Sequence, residues 1–381
     1  MKKTQLVAMG AAFLIAATAL SACSSGDDST SGSEASNEAT TAEAQSALDT
    51  AFAGIGSTLD DLASVKVADG ISLYVVSCGE AVAGCSVPAA SVKAAGEAAG
   101  WTATIADGKL SPDGFANAIR QSIAGGADVI VPIGIGCGVA QAAFAEAVAQ
   151  GITIIGGGGV DDCDPKLWGS ERLWLDGYTP QQQWESFGKL QADYVFGKTN
   201  GNVKAITVTA TTQVWGQWIT DGFNAELEKL GGGEVLANVE VSDQEQADGS
   251  YVQKVTTALL SNPDANALIV PIDSWLSQGI AAAIVQNGSD ESLTVVGRGG
   301  EEAVLDMIRA GGAGVDATIG FATDWGAWGS VDTAIRVLAG TDPIFVGESM
   351  QAVDADNNMV TSGPYMGSVD FKSLFLKAWG K

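Results

Sequence analysis

From Gly70 onward, short apolar runs alternate with stretches whose apolar residues recur every three or four positions. The apolar runs are ISLYVVS (71–77), TATIADG (102–108), VIVPI (129–133) and ITIIGG (152–157). Helical spacing fills the intervals 89–99, 115–123 and 139–150. Strands alternating with helices in this way predict a parallel sheet built of right-handed crossovers. The series then starts again with VKAITVTA (203–210), VLANVEV (235–241), ALIVPI (267–272), LTVVG (293–297) and ATIGFA (317–322).

The second series echoes the first. VIVPIG, a helix and ITIIGGGG are answered by LIVPID, a helix and LTVVGRGG. The strand starts lie 23 residues apart in one copy (129 to 152) and 25 in the other (268 to 293). Two matches in the same order at nearly the same spacing predict two similar α/β lobes, each a parallel sheet flanked by helices. LWLDGYT (173–179) is placed to cross between them, and a helix over 327–338 followed by strand-like PIFVGE (343–348) points to further crossings. The expected division is 68–176 with 323–345 for the first lobe and 177–322 with 346–381 for the second. A two-lobed chain joined by several crossings hinges as a clamp.

The N-terminus reads as a signal and not as fold. Lys2 and Lys3 precede an apolar run, Leu6 to Leu20, that is shorter than the ~20 residues a spanning helix needs. The run closes on Leu20-Ser21-Ala22-Cys23, which resembles a bacterial lipobox; residues 1–23 would then be a lipoprotein signal, with Cys23 cleaved and acylated. An ordinary secretory signal with a chance cysteine is the bland alternative. Residues 24–47, rich in Ser, Gly, Thr, Ala and Glu, are expected as a flexible tether. A short helical pattern (Leu48, Phe52, Ile55, Leu59, Leu62) completes the segment 24–67.

With 381 residues, 46% hydrophobic and 17% charged, the chain is globular and long enough for two domains. The formal charge is −26, and loss of the two signal lysines makes it −28. Such a surface repels nucleic acid and anionic headgroups and suits a soluble body. Four cysteines follow Cys23: Cys78, Cys85, Cys137 and Cys163. An even number in an exported chain favours disulfides, with three pairings open, and no Cys-x-x-Cys pair is present for zinc. The absence of histidine excludes a Ser-His-Asp triad, a Cys-His dyad and histidine-ligated metal.

The strings ISLYVVS, GGADVIVPIG, AQGITIIG, AITVTATTQVWGQWITDGF, LLSNPDANALIVPID, LTVVGRGGEEAVLDMIRAGG and ATIGFATDWGAWG, in that order, cover roughly residues 68–350. Together they resemble the type I periplasmic binding proteins, in particular the ribose-binding-like group that serves ABC importers. The resemblance implies two lobes joined at a hinge, capture of a small solute between them, and delivery to a membrane permease. In parallel sheets ligands bind beyond the carboxyl ends of the strands, so the strand-end segments Ser77–Glu80, Gly134–Gly138, Gly156–Asp162, Asp273–Trp275 and Arg298–Glu301 would line one cleft. The same placement favours Cys78–Cys85, which flank one short loop, and Cys137–Cys163, which follow neighbouring strands. The charged anchors usual in sugar binders of this group are largely lost: an Asp–Arg pair falls at Gly158 and Gly159, an Arg at Trp215–Gln217, and an Asn–Asp pair at Ile272–Asp273.

The candidate ligand contacts are therefore Ser77, Glu80, Gly134, Gly158, Asp161, Trp215, Gln217, Asp273, Trp275, Arg298, Phe321 and Trp325. Several have an alternative reading. Trp215 sits on a four-residue stripe with Ile219, Phe223 and Leu227, so it fits a buried helix face as well as a cleft wall. Asp273 fits a ligand contact or a helix cap, Asp161 a solvated loop acid, and Arg298 a ligand anion or an internal pair with Glu301 or Asp324. Trp275 and Trp325 are expected to offer aromatic faces to the solute. The resulting expectation is a lipid-anchored, extracytoplasmic, monomeric solute-binding protein of an ABC importer, with a sugar or polyol as ligand. No cofactor, metal, catalysis or nucleic acid is expected. A neutral aromatic or mostly apolar solute is the first alternative; a sensory protein presenting ligand to a receptor and a secreted enzyme are others.

Overall fold

The computed structural model describes residues 31–289 and 292–381, with side-chain surroundings from residue 41. The signal over 1–23, the lipidation site Cys23 and the first tether residues lie outside the described residues. No helix among those described is long and apolar enough to cross a membrane. Residues 40–381 form one compact unit.

The first helix, α1 (Ser31–Ala53), occupies most of the segment expected as a flexible tether. It stops where Gly54 and Gly56 adopt φ of 67° and 90°, the left-handed backbone that side chains resist. Leu59 and Leu62, read as part of a helical stripe, therefore lie on extended chain. The first sheet follows: β1 (Ser72–Ser77), α2 (Ala83–Ala99), β2 (Thr102–Asp107), α3 (Pro112–Ala124), β3 (Val129–Pro132), α4 (Gln141–Ala149) and β4 (Thr153–Ile154). After a connecting segment come α5 (Pro180–Lys198), β5 (Lys204–Ala210), α6 (Val214–Lys229), β6 (Glu234–Val241), α7 (Asp243–Asp248), α8 (Tyr251–Ser261) and β7 (Ala267–Ile269). The chain continues through α9 (Asp273–Trp275), α10 (Ala281–Gln286), β8 (Thr294–Gly299), α11 (Glu302–Ala310), β9 (Ala317–Phe321), α12 (Thr323–Leu338), β10 (Met350–Asp354) and α13 (Phe371–Trp379).

Two sheets result. The first runs β2-β1-β3-β4, all parallel; the second runs β10-β9-β8-β7-β5-β6, parallel except for β10. Each strand predicted from 71 to 322 is present. Residues 343–348, read as strand-like, form none; the strand starts two residues later, as β10. Those residues cross between the lobes instead: Val346 N–H donates to Leu173 O (2.8 Å) and Gly347 N–H to Trp174 O (2.8 Å). This pairs them with LWLDGYT, the segment expected to cross.

A further strap lies over these crossings. Ile55 and Met350 exchange backbone hydrogen bonds (2.7 and 2.9 Å), and Ser57 N–H donates to Gly347 O (2.9 Å). Gly347 has φ 66°, and a Cβ there would stand 2.0 Å from Thr58 O. The strap then reaches the first sheet's side, where Ala63 O accepts from Arg336 (3.1 Å) and Val65 N–H donates to Ala378 O (2.9 Å). The last helix, α13, packs on α2 and α12. Its Trp379 stacks on Trp328 with centroids 5.5 Å apart. The sequence reading placed all of 346–381 with the second lobe, but the apolar face Phe371, Phe375, Trp379 finds its partners beside the first.

The second lobe's two longest helices, α5 and α6, cross backbone to backbone. A Cβ on Gly188 would lie 1.9 Å from Ile219 O, and one on Gly222 would lie 2.1 Å from Glu185 O. Overpacking of this kind costs about 1–3 kcal/mol or more. Gly188→Val is accordingly expected to lower the melting temperature by at least several degrees, while Gly177→Val, at a position with no neighbour within 4 Å of a Cβ but with a positive φ, should cost clearly less in the same thermal melt.

Candidate functional site

The carboxyl ends of both sheets open onto one cavity of about 620 Å³. Ile133 and Gly134 follow β3, Gly157 and Gly158 follow β4, Ile272 follows β7, Gly299 ends β8 and Phe321 ends β9, and all line it. Two direct hydrogen bonds bridge its walls. The Trp215 Nε1–H donates to Gly134 O (3.0 Å), and Gly136 N–H donates to Gln213 Oε1 (3.0 Å). Both come from the start of α6 and both end on the glycine loop after β3. That loop is fastened by the Cys137–Cys163 disulfide, and the cavity's other first-lobe edge by Cys78–Cys85. Both bonds are those expected.

Arg298 dominates the second-lobe wall. Its guanidinium lies over three rings, Phe187 (5.0 Å), Trp184 (5.2 Å) and Trp215 (5.6 Å), and Trp184 stacks on Trp215 at 4.9 Å. Its Nε donates to Pro271 O (2.5 Å). Among the described residues no carboxylate lies within ion-pair distance of it, so the internal pair with Glu301 or Asp324 does not form; Asp324 instead pairs with Lys372 and accepts from Ser91. Arg298 is at the same time part of the cavity lining. Burial lowers the Arg298 pKa to about 10, partly offset by Asp273 and Glu301; it stays a cation at neutral pH.

Glu301 lines the cavity beside it, and its Oε2 has no hydrogen-bond partner. Burial first, then the Asp273 charge, pushes its pKa up to about 8, against a smaller opposing effect of Arg298. The raised value favours its protonated form toward neutral pH. The cavity floor carries a buried ion pair, Arg172 to Glu348 (2.7 Å), with Ser330 Oγ at 3.5 Å from Arg172.

Of the twelve expected contacts, the structure brings five to the cavity: Gly134, Gly158, Trp215, Arg298 and Phe321. The other seven face elsewhere. Asp273 is fully buried and accepts from Gly300 N (2.7 Å), Glu301 N (3.0 Å) and Thr318 Oγ1 (2.9 Å). Asp161 accepts from Leu167 N and Trp168 N, each at 2.8 Å. These acids organise loops. Trp275 is buried against Tyr251 (5.6 Å), and Trp325 against Phe371 (5.8 Å), a ring supplied by α13. Ser77 is buried below the strand end, Glu80 is exposed, and Gln217 is exposed and bonded to Asp221 (2.8 Å). The sequence reading missed Trp184, Gln213 and Arg172. Trp184 had a signal: Thr179, Pro180 and Gln182 form a capping box, which fixes α5 to start just after the crossing and sets Trp184 on its first turns. Cys137, Asp161 and Cys163 are the one cluster of metal-ligand types among the described residues, and two of its three ligand atoms are joined in a disulfide.

A family model described as a periplasmic binding protein domain matches residues 85–342. No curated protein matches in sequence. Similar solved structures include a glucose-galactose binding protein from Geobacillus stearothermophilus (15% identity, TM-score 0.63, 76% of this chain and 99% of that one). A 5-methylthioribose transporter solute binding protein from Thermotoga lettingae is similar at 17% identity and TM-score 0.63, over 84% of this chain and 96% of that one. A Caulobacter myo-inositol binding protein is similar at 14% identity and TM-score 0.64, over 77% and 96%. At such identities the likeness is one of fold.

An acid whose pKa is raised on folding holds its proton more tightly in the native state. Its contribution to stability is full below its ordinary value and is lost as pH rises through the raised one. For Glu301 that window runs from 4.5 to about 8. Glu301→Gln, which stays neutral, is therefore expected to gain in melting temperature relative to the parent as pH climbs from 5 to 9. A difference between the two proteins that stays flat across that range would contradict a buried, neutral Glu301.

Proposed function

The chain belongs to the periplasmic binding protein family, and on that premise we propose that it captures a small hydroxylated solute, a sugar or polyol, between its lobes for an ABC importer. The observation that carries this reading is the cavity at the facing strand ends. Hydrogen-bonding side chains there lie beside stacked indoles, the combination that suits a ring with polar edges and apolar faces. Arg298 has no carboxylate within ion-pair distance among the described residues, and Glu301, Gln213, Asp243 and Gln246 add further polar groups to the lining.

Function in this reading is binding, and closure is its mechanism. A solute held by both walls favours the closed form by its differential affinity and shifts an existing equilibrium. The Trp215–Gly134 and Gln213–Gly136 hydrogen bonds then belong to the closed arrangement. The body is proposed to work outside the cytoplasmic membrane, as a monomer held by acylated Cys23 and docking on a permease. The signal-like N-terminus and the two disulfides support that placement. A mostly apolar or aromatic solute is the second reading, favoured by the apolar side chains of the first-lobe wall.

Two measurements test the proposal. Native mass spectrometry of gently purified protein should reveal a bound sugar or polyol. Thermal denaturation across a panel of such solutes should give a saturable rise of several degrees with at least one, as expected when ligand greatly exceeds its Kd. Arg298→Gln should weaken that ligand by tenfold or more. A panel of sugars and polyols without any stabilising member would refute the reading.

A further inference from the structure

We propose that the solute is amphiphilic: a sugar-like ring held by the second lobe, bearing an alkyl, alkylthio or aryl substituent that seats against the first. This rests on the sugar-binding reading of the same cavity and narrows its substrate class.

The two walls differ in kind. Every side chain that the first sheet's strand-end segments, residues 78–158, present to the cavity is apolar or part of a disulfide. Val82, Val87, Pro88, Val92, Leu110 and Ile133 make up that surface, which offers backbone groups but no polar side chain; the polar first-lobe groups on the cavity, Arg172, Thr323, Asp324 and Ser330, come from the connection and α12 beside it. The opposite wall carries Gln213, Asp243, Gln246, Ser274, Arg298 and Glu301. Two of its groups, Ser274 Oγ and Glu301 Oε2, are buried without a partner.

A free hexose or polyol carries hydroxyls around its whole rim. Those turned toward the 78–158 surface would lose water and find backbone groups but no side-chain partner in return. A substituent without polar atoms reverses that balance, because its burial removes apolar surface from water on both sides. The wall is also built to stay in place. Val82, Cys85 and Leu110 form a small apolar cluster packed with Cys78, so the disulfide ties the start of α2 to the loop after β1, against which Leu110 packs. Val87 remains 43% exposed although it lines the cavity, which leaves apolar surface for a ligand to cover. At about 620 Å³ the cavity sits within the ~300–1,000 Å³ typical of sites for substituted, drug-sized ligands.

The test uses matched pairs on the full chain, by isothermal titration: glucose with phenyl β-glucoside, galactose with phenyl β-galactoside, and ribose with 5-methylthioribose. In at least one pair the substituted member should bind about tenfold or more tighter than its parent, the gain expected from burying two or more methylene equivalents. Val87→Asp, at a position exposed enough to leave folding intact, should bring the affinity ratio within that pair close to one. Equal or tighter binding of the parent in every pair that binds would overturn the amphiphilic ligand and leave sugar capture standing. A cooperatively folded protein that binds no member of any pair would overturn the amphiphilic ligand, and sugar capture falls with it if the thermal panel of sugars and polyols also has no stabilising member.

Discussion

The second lobe's cleft edge depends on one buried carboxylate. Asp273 has no access to water, and a carboxylate so placed must have its oxygens satisfied. It takes hydrogen bonds from the backbone that follows β8 and from Thr318 on β9, so three neighbouring strands are tied at one point. Gly297 and Gly299 make room for it, since a Cβ on Gly297 would stand 2.1 Å from its Oδ1. Burial pushes its own pKa up, against the pull of those hydrogen bonds and of Arg298. Arg298 and Glu301 flank the glycines that Asp273 secures, so their positions in the cavity follow from an acid that is itself buried.

This explains which parts of the molecule were legible from sequence. Buried parallel strands announce themselves as continuous apolar runs between helical stretches, so the central strands and the two-lobed repeat could be read directly, while the part-exposed β2 and β6 were placed by their position in the alternation. The cysteine pairs were equally accessible, because a strand order implies which loops are neighbours. Side-chain direction was not. Asp161 and Asp273 sit at strand ends where ligands bind, yet both turn inward, because glycine-rich loops leave backbone N–H groups that need acceptors. Trp325 follows a strand at the expected place but meets Phe371, 46 positions later in the sequence and on a helix that no local pattern linked to it. Trp184 reached the cavity from the far side of a crossing, a contact that only the assembled lobes define.

The hinge region shares a group with the cavity. Arg172 lies on the connection between lobes and lines the cavity floor, while its partner Glu348 lies on the returning crossing. A buried pair of this kind is weak evidence for stability, since desolvation offsets much of the attraction. Its geometry has another effect: the two crossings cannot shift relative to each other without separating opposite charges next to the ligand space. Gln183, on α5, also reaches Glu348 at 3.5 Å, which extends the contact into the second lobe.

The strap from Gly54 to Val65 has a mechanical consequence. Residues 44–52 press on α5, where Leu48 would meet a Cβ on Gly197 and Phe52 packs edge-on against Tyr194. Farther along, the strap is bonded to α12 and α13 beside the first lobe. A tensile load arriving along the chain from residue 40 is thereby divided between both lobes, at the crossings that join them, and is not borne by either lobe alone.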